Sequence, residues 1–369
     1  MDIRFNAYKV KFDMLDYLTL PIFKSQELRT VNMFISLDDV YWHCRNGQAN
    51  REFQCCGNIA PKQLVSNVLN LMAHYREWLA RKNVNVRVFA YYSTSSIFEM
   101  KTLMHDYRAS YNKRNDVANA DCYYVNTCIR ESAGILKTIT QYIEGAYVID
   151  TRGMEPAAFP YVCATKFKEY EADWNFLVTK DIVEFQYAYY EKFSVIYPKG
   201  EYSKVLDTPA MWEHVAHKEK VESQYLYKYP DVFFPVALAI VGDKKRSIPK
   251  VKGLGWRTIM SMMDDIIAEN PGLDGYSYTM KFLDNMEQKK YNMETIQGNL
   301  DIIQPKSSAM MTSEVAIENI HIQFIDIPDY NSLNDLNRNP DMFALCPINI
   351  RFLTRQNDVK AISPFKLTF

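Results

Sequence analysis

At 369 residues the chain is long enough to bury a substantial core as one large domain or two. With 43 Lys and Arg against 44 Asp and Glu, its formal net charge of −1 excludes a uniformly basic nucleic-acid coat but leaves room for a local basic stripe. No run of about 18 apolar residues is present, so no membrane-spanning helix is expected.

The N-terminal residues Met1-Asp2-Ile3-Arg4-Phe5 lack the apolar run of a signal peptide. The seven cysteines form an odd count without framework spacing, which points to reduced thiols and a cytoplasmic setting. Residues 1–30 carry no functional signal. Val31 to Ile35 reads as a buried strand. Asp38 and Asp39 follow it, where helix starts favour carboxylates; capping of the next helix is the preferred reading, and recruitment to a site is the alternative. His43, Cys44, Cys55 and Cys56 lack paired zinc-ligand spacing and read as ordinary thiols and a surface histidine. Residues 61–82 carry apolar positions at three and four, with Pro61 in the first turn, and predict a helix. A second strand runs from Val84 to Phe89, and the strand–helix–strand order implies a parallel sheet.

Residues 111–122 are polar and read as a loop. Tyr123 to Tyr147 is mostly helical in pattern, and Trp174 to Val178 is a strand. His214 and His217 share a helix face, but flanking charges and the lack of a third ligand argue for an exposed helix rather than a metal site. An apolar run, Phe233 to Val241, leads into a segment of different character. Between Val241 and Ile259 six residues are basic and one is acidic. Gly253 and Gly255 bracket Leu254 directly before a helical pattern, Ile259, Met262, Met263, Ile266 and Ile267. Glycines allow a tight turn and close approach of a ligand. The free N–H groups at the start of a helix suit a phosphate. Lys250, Lys252 and Arg257 would surround the same anion. Beyond Gly272 the signal fades: Ile320 to Ile327 alternates like a strand, and residues 330–341 read as loop. There is no Walker A motif and no G-x-S-x-G motif.

The segment G-D-K-K-R-S-I-P-K-V-K-G-L-G-W-R-T-I, from Gly242 to Ile259, resembles that of the flap endonuclease and 5′-3′ exonuclease family, G-D-x-x-D-N-I-P-G-V-x-G-I-G-x-K-T-A, in register and without a gap. The resemblance extends over residues 31–290. It implies an α/β chain with a PIN-like central parallel sheet flanked by helices, a helix–three-turn–helix DNA-binding element and an unassigned C-terminal extension. The expected divisions are an N-terminal segment (1–30), a nuclease-type domain (31–240), the helix–three-turn–helix region (241–300) and the extension (301–369).

The resemblance also implies a carboxylate site. Of the family's aligned metal-site positions, Glu155, Asp181 and Asp243 keep carboxylates. Ser36, Ala90, Ala157, Ala158, Thr179 and Arg246 replace the others. Two-ion phosphodiester hydrolysis needs several carboxylates around closely spaced ions, and Mg²⁺ wants oxygen ligands. The three survivors, as remnant catalytic or metal-binding groups, are too few without help. A guanidinium is always charged and cannot ligate a metal. Arg246 is therefore expected either to pair with the three carboxylates as a cation substitute or to point to solvent or a DNA phosphate. Arg108, with Tyr107, matches part of the family's basic arch motif.

The resulting expectation is a protein that grips duplex, flap or 5′-ended DNA through Lys244, Lys245, Lys250, Lys252, Gly253, Gly255 and Arg257, with impaired or absent cleavage. No cofactor is expected, or Mg²⁺ if the nuclease site works. Two alternatives remain open. One is an active metal-dependent 5′-3′ exonuclease using shifted carboxylates such as Asp38, Asp39 or Asp173. The other is a structural subunit of a viral replication or transcription complex, in the host cytoplasm and without a membrane partner; the Asn-, Tyr- and Met-rich composition is compatible with a phage.

Overall fold

The computed structural model describes residues 11–12, 29–46, 54–55, 58–59, 61–80, 84–93, 120–140, 143–199 and 202–325. Arg108 and the rest of the basic arch segment lie outside them.

Strand β1 is Lys11–Phe12, β2 Arg29–Ser36, β3 Gln54–Cys55, β4 Asn58–Ile59, β5 Val84–Tyr92, β6 Ala146–Asp150, β7 Trp174–Val178, β8 Phe193–Lys199 and β9 Tyr202–Leu206. A seven-stranded sheet runs in the order β1-β9-β8-β7-β2-β5-β6, and β3 with β4 forms a separate pair. The central strands β8, β7, β2, β5 and β6 are parallel, and β1 is parallel to β9. The expected parallel sheet is thus interrupted at one place: β8 and β9 pair antiparallel. Only residues 200–201 link these two strands, and so short a link can join only antiparallel neighbours.

Both faces of the central strands are buried, which explains their continuous apolar runs. Along β2, Val31, Met33 and Ile35 enter one core and Phe34 the other. Along β5, Val86, Val88 and Ala90 take the first side, Phe89 and Tyr91 the second. The first core is covered by α1 (Leu37–Asn46), α2 (Pro61–Ala80) and α3 (Ala120–Thr140). The second is covered by α4 (Phe159–Lys166), α5 (Thr208–Glu219), α6 (Phe233–Val241), α7 (Trp256–Glu269), α8 (Gly275–Gln288), α9 (Met293–Ile303), α10 (Pro305–Met310) and α11 (Glu314–Ile325).

Two sequence expectations are corrected here. Tyr123 to Tyr147 is not one helical stretch: α3 stops at Thr140, Gly145 turns the chain at φ +69°, and β6 begins at Ala146. Nor does the strand expected over Ile320 to Ile327 hold where it is described: residues 320–325 belong to α11, and 326–327 lie outside the described residues. Ala316, Ile320 and Phe324 are buried at four-residue spacing while Ile322 is 49% exposed, a helical period. Phe324 closes an aromatic cluster with Phe89, Tyr147, Phe167 and Tyr170, so distant partners decided the conformation.

Candidate functional site

The carboxyl ends of β2, β5 and β7 lie side by side, the usual place for a site in a parallel α/β sheet. Strand β2 ends at Ser36, which pairs with Tyr91 of β5. The Ser36 Oγ accepts the Asp39 backbone N–H at 3.4 Å, so the serine, not the aspartates, serves the start of α1. Asp38 and Asp39 fall in the first turn of that helix. Asp38 is buried. Asp39 turns towards β7, where its Oδ2 accepts the Thr179 hydroxyl at 2.7 Å and the Lys180 N–H at 3.1 Å. The preferred capping role for this pair therefore gives way to recruitment of Asp39 to the sheet end. Asp173 is not recruited: it accepts from Arg29 and from the Thr30 N–H, at the opposite end of β2.

Asp181 caps a 3-10 helix, Ile182–Tyr189, by accepting the Val183 N–H. Glu155 stands at the start of another, Pro156–Ala158, with Pro156 tolerated in the first position. The third carboxylate, Asp243, begins a tight hairpin. Gly242 ends α6 at φ +71°. Asp243 and Ile248 then exchange both backbone hydrogen bonds, and the Asp243 Oδ1 accepts the Lys245 N–H at 2.9 Å. This geometry throws Arg246 inward.

Arg246 is 1% exposed. Its Nε donates to Glu155 Oε1 at 3.1 Å, Nη1 to Asp243 Oδ2 at 2.6 Å and to Asp181 Oδ1 at 3.3 Å, and Nη2 to Asp181 Oδ2 at 3.1 Å. All three aligned carboxylates converge on one guanidinium. The solvent-pointing alternative is excluded.

Lys245 also turns inward, unlike the phosphate-facing position read for it from sequence. Its Nζ lies 2.8 Å from Asp181 Oδ2 and 3.7 Å from Asp39 Oδ1, with the side chain 30% exposed. Burial alone would raise the Asp181 carboxyl, but Arg246 and Lys245 outweigh it and hold the group well below the usual range. Conversely, burial would lower Lys245, and Asp181 and Asp39 raise it instead.

One buried carboxylate here escaped the sequence reading. Glu184, 3% exposed, follows Asp181 by three residues, donates its backbone N–H to Asp181 O and accepts the Tyr91 hydroxyl at 2.9 Å. Burial, then the Asp39 and Asp181 charges, push it up to about 8. A glutamate inside the otherwise apolar stretch Ile182 to Phe185 was the signal available. His43 is not free at the surface either. Its Nδ1 meets Lys180 Nζ, and burial with the Lys180 charge lowers it to about 4. His214 packs between Phe185 and Tyr197.

The second half of the hairpin faces out. Ile248, Val251 and Leu254 are buried, while Lys244, Lys250, Lys252 and Gly253 are exposed. The loop is pinned by the Val251 N–H on Ile240 O and by Asn299, whose Nδ2 donates to Ala239 O and Pro249 O at 2.8 Å each. Gly253 turns at φ +84°, and Gly255 is the extended residue before α7. Arg257 is exposed, and its Nε donates to Glu219 O. Lys244, Lys250, Lys252, Gly253, Gly255 and Arg257 are thus gathered on one hairpin and helix start.

The architecture is similar to that of solved structures. A bacteriophage T5 5′-exonuclease with bound zinc aligns at TM-score 0.50 and 15% identity, covering 82% of this chain and 100% of that one. A T5 protein co-crystallised with metal ions aligns at TM-score 0.51 and 13% identity, with the same coverage. This chain has the PIN-like α/β fold of that 5′-exonuclease. No family model matches its sequence, and no curated protein matches it significantly.

The 5′-exonuclease fold implies divalent ions, and the residues present do not fit them. Glu155, Asp181 and Asp243 each accept a hydrogen bond from Arg246, and Asp181 accepts one from Lys245 as well, so two fixed positive charges already sit among these carboxylates. Among the described residues no group of three or more His, Cys, Asp or Glu is arranged to hold a metal.

Proposed function

We propose that this protein binds duplex or branched DNA by its phosphates, as a 5′-nuclease-type protein whose cleavage is impaired or absent. One observation carries the reading: a single hairpin after α6 buries Arg246 against Glu155, Asp181 and Asp243 and exposes Lys244, Lys250 and Lys252. Its inner side satisfies with protein cations the carboxylates that hydrolysis would need for metal. Its outer side combines ammonium groups, the Gly253 turn and the free N–H groups at the start of α7, a combination that suits a phosphate backbone. The resemblance of this segment to the family's DNA-gripping motif supports the same role, and Arg108 would add an arch contact to a strand end.

The second reading is an active, Mg²⁺-dependent 5′-3′ exonuclease. It is favoured by Asp39 and Glu184, which bring carboxylates to the sheet end from positions outside the family's pattern. A paired binding and cleavage assay on 5′-flap DNA, with Mg²⁺ and with EDTA, separates the two. Binding in both conditions without cleavage is expected. Mg²⁺-dependent cleavage abolished by Glu155→Gln and by Asp181→Asn would establish the second reading instead.

A further inference from the structure

The two inward cations are not equivalent, and their arrangement has a pattern. Arg246 Nη2 and Lys245 Nζ donate to the same oxygen, Asp181 Oδ2, at 3.1 and 2.8 Å. Beyond that shared oxygen their partners diverge. Arg246 takes Glu155 and Asp243 on the second core's side of the sheet, and Lys245 reaches Asp39 at the start of α1. A carboxylate bridging two positive centres, each with its own outer carboxylates, is the arrangement of a two-ion site, in which the ions lie about 4 Å apart. Here the centres are side chains. The inner one is sealed, with a side chain 2% exposed, and the outer one opens to solvent at 30%.

We infer that Arg246 and Lys245 are tethered replacements for a pair of divalent cations, so that the carboxylate centre is neutralised by the chain itself. This rests on the proposed reading of the protein as a DNA binder with impaired cleavage. It goes further in assigning Lys245 to the second cation position and in requiring that both side chains, not Arg246 alone, keep metal out. The sequence placed Lys245 with the phosphate-binding lysines; the geometry gives it to the carboxylates. The chain's fold and its hold on DNA then need no divalent ion.

The test is cation binding by the full-length protein, read by loss of the free Mn²⁺ electron paramagnetic resonance signal and by melting temperature with and without Mn²⁺. Three proteins are compared: native, Lys245→Ala, and the double variant Lys245→Ala/Arg246→Asp. The native chain is expected to leave the Mn²⁺ signal and its own melting temperature unchanged. The double variant is expected to bind Mn²⁺ on the order of a hundredfold more tightly, and to melt higher with it. A hundredfold is a floor, since exchanging a positive for a negative charge within about 4 Å of a divalent ion is worth more than that even at the dielectric of bulk water. Should the double variant fail to fold, Lys245→Ala alone decides, because its partly exposed side chain can be removed with Arg246 still in place; a measurable gain in Mn²⁺ affinity is expected. Native Mn²⁺ binding as tight as that of the variants would overturn the inference, as would folded variants that bind none. DNA binding in EDTA is measured in parallel. Its absence from the native protein sinks the DNA-binding reading without touching the Mn²⁺ result, so the two failures are distinguishable.

Discussion

The chemistry of this site turns on what a buried guanidinium can and cannot do. Arg246 presents a planar fork of donors, and three carboxylates from three separate elements take them up. Breaking such a network by removing one partner costs more than the network contributes, because the remaining charges stay buried without compensation. Arg246→Ala is expected to lower stability by about 3–5 kcal/mol in urea unfolding. Arg246→Lys should recover only part of that, since an ammonium cannot reproduce the fork. Glu184 behaves in the opposite sense to Asp181. Its folded-state pKa is raised to about 8, by burial first and by Asp39 and Asp181 next. Between the ordinary glutamate range and that value the folded protein holds a proton that the unfolded chain has released. Stability therefore falls as pH rises across this window and levels off above it. Glu184→Gln should flatten that decline in melting temperature against pH, and an unchanged profile would refute the assignment. Asp181, depressed by Arg246 and Lys245, contributes stability that is lost only as pH falls below the ordinary aspartate range.

At the scale of the element, the hairpin between α6 and α7 joins the two halves of the site, and its backbone is what makes them possible. A Cβ on Gly242 would stand 2.6 Å from Ile248 O and 2.7 Å from Lys250 N, both backbone atoms that cannot step aside, at a φ of +71°. Gly242→Ala is expected to destabilise the protein by roughly 1–3 kcal/mol, and to expose the hairpin amides, Ile248 above all, to faster hydrogen exchange. Protection equal to the native protein's would show that the turn tolerates the side chain. Part of this element was legible in the sequence. Gly253, Gly255 and the apolar spacing from Ile259 placed the turn and the following helix, and the missing carboxylate at Arg246 flagged the odd charge; the Asp243–Ile248 hairpin itself was not read. The direction of Lys245 was not legible. Lys245 directly follows exposed Lys244, and the partner 64 positions away, Asp181, draws it inward. Asp39 was misread for a similar reason: its helix-start position suits a cap, but Ser36 sits closer to that role and Thr179, 140 residues on, takes the carboxylate.

Across the whole molecule, the sheet separates two cores, and the carboxylate centre is the seam where they meet. Asp39 comes from α1 on one face, Glu155 and Arg246 from elements on the other, and Asp181 from the end of the strand between them. The buried strands and the strand–helix–strand order made the parallel sheet readable, while its division of the apolar residues between two cores was not read. The antiparallel β9 and the helical α11 were not readable, since a short connection decided the first and an aromatic cluster of distant residues the second. The same layering sorts the basic residues into two populations that a net charge of −1 conceals. Those turned inward neutralise carboxylates; those on the hairpin's outer side remain available for phosphates. Salt dependence of DNA binding distinguishes them, because only a cation that displaces counterions from DNA contributes to the slope of log affinity against log salt, at about 0.9 per phosphate contact on duplex DNA. Lys250→Ala/Lys252→Ala is expected to weaken binding and make the slope shallower by about 1 to 2. Lys245→Ala removes the same kind of charge from the same hairpin and should leave the slope unchanged, because its ammonium is held by Asp181 and Asp39. Equal slope changes in the two variants would mean that Lys245 leaves its carboxylates when DNA binds, and that the inner and outer sides of the hairpin act as one surface.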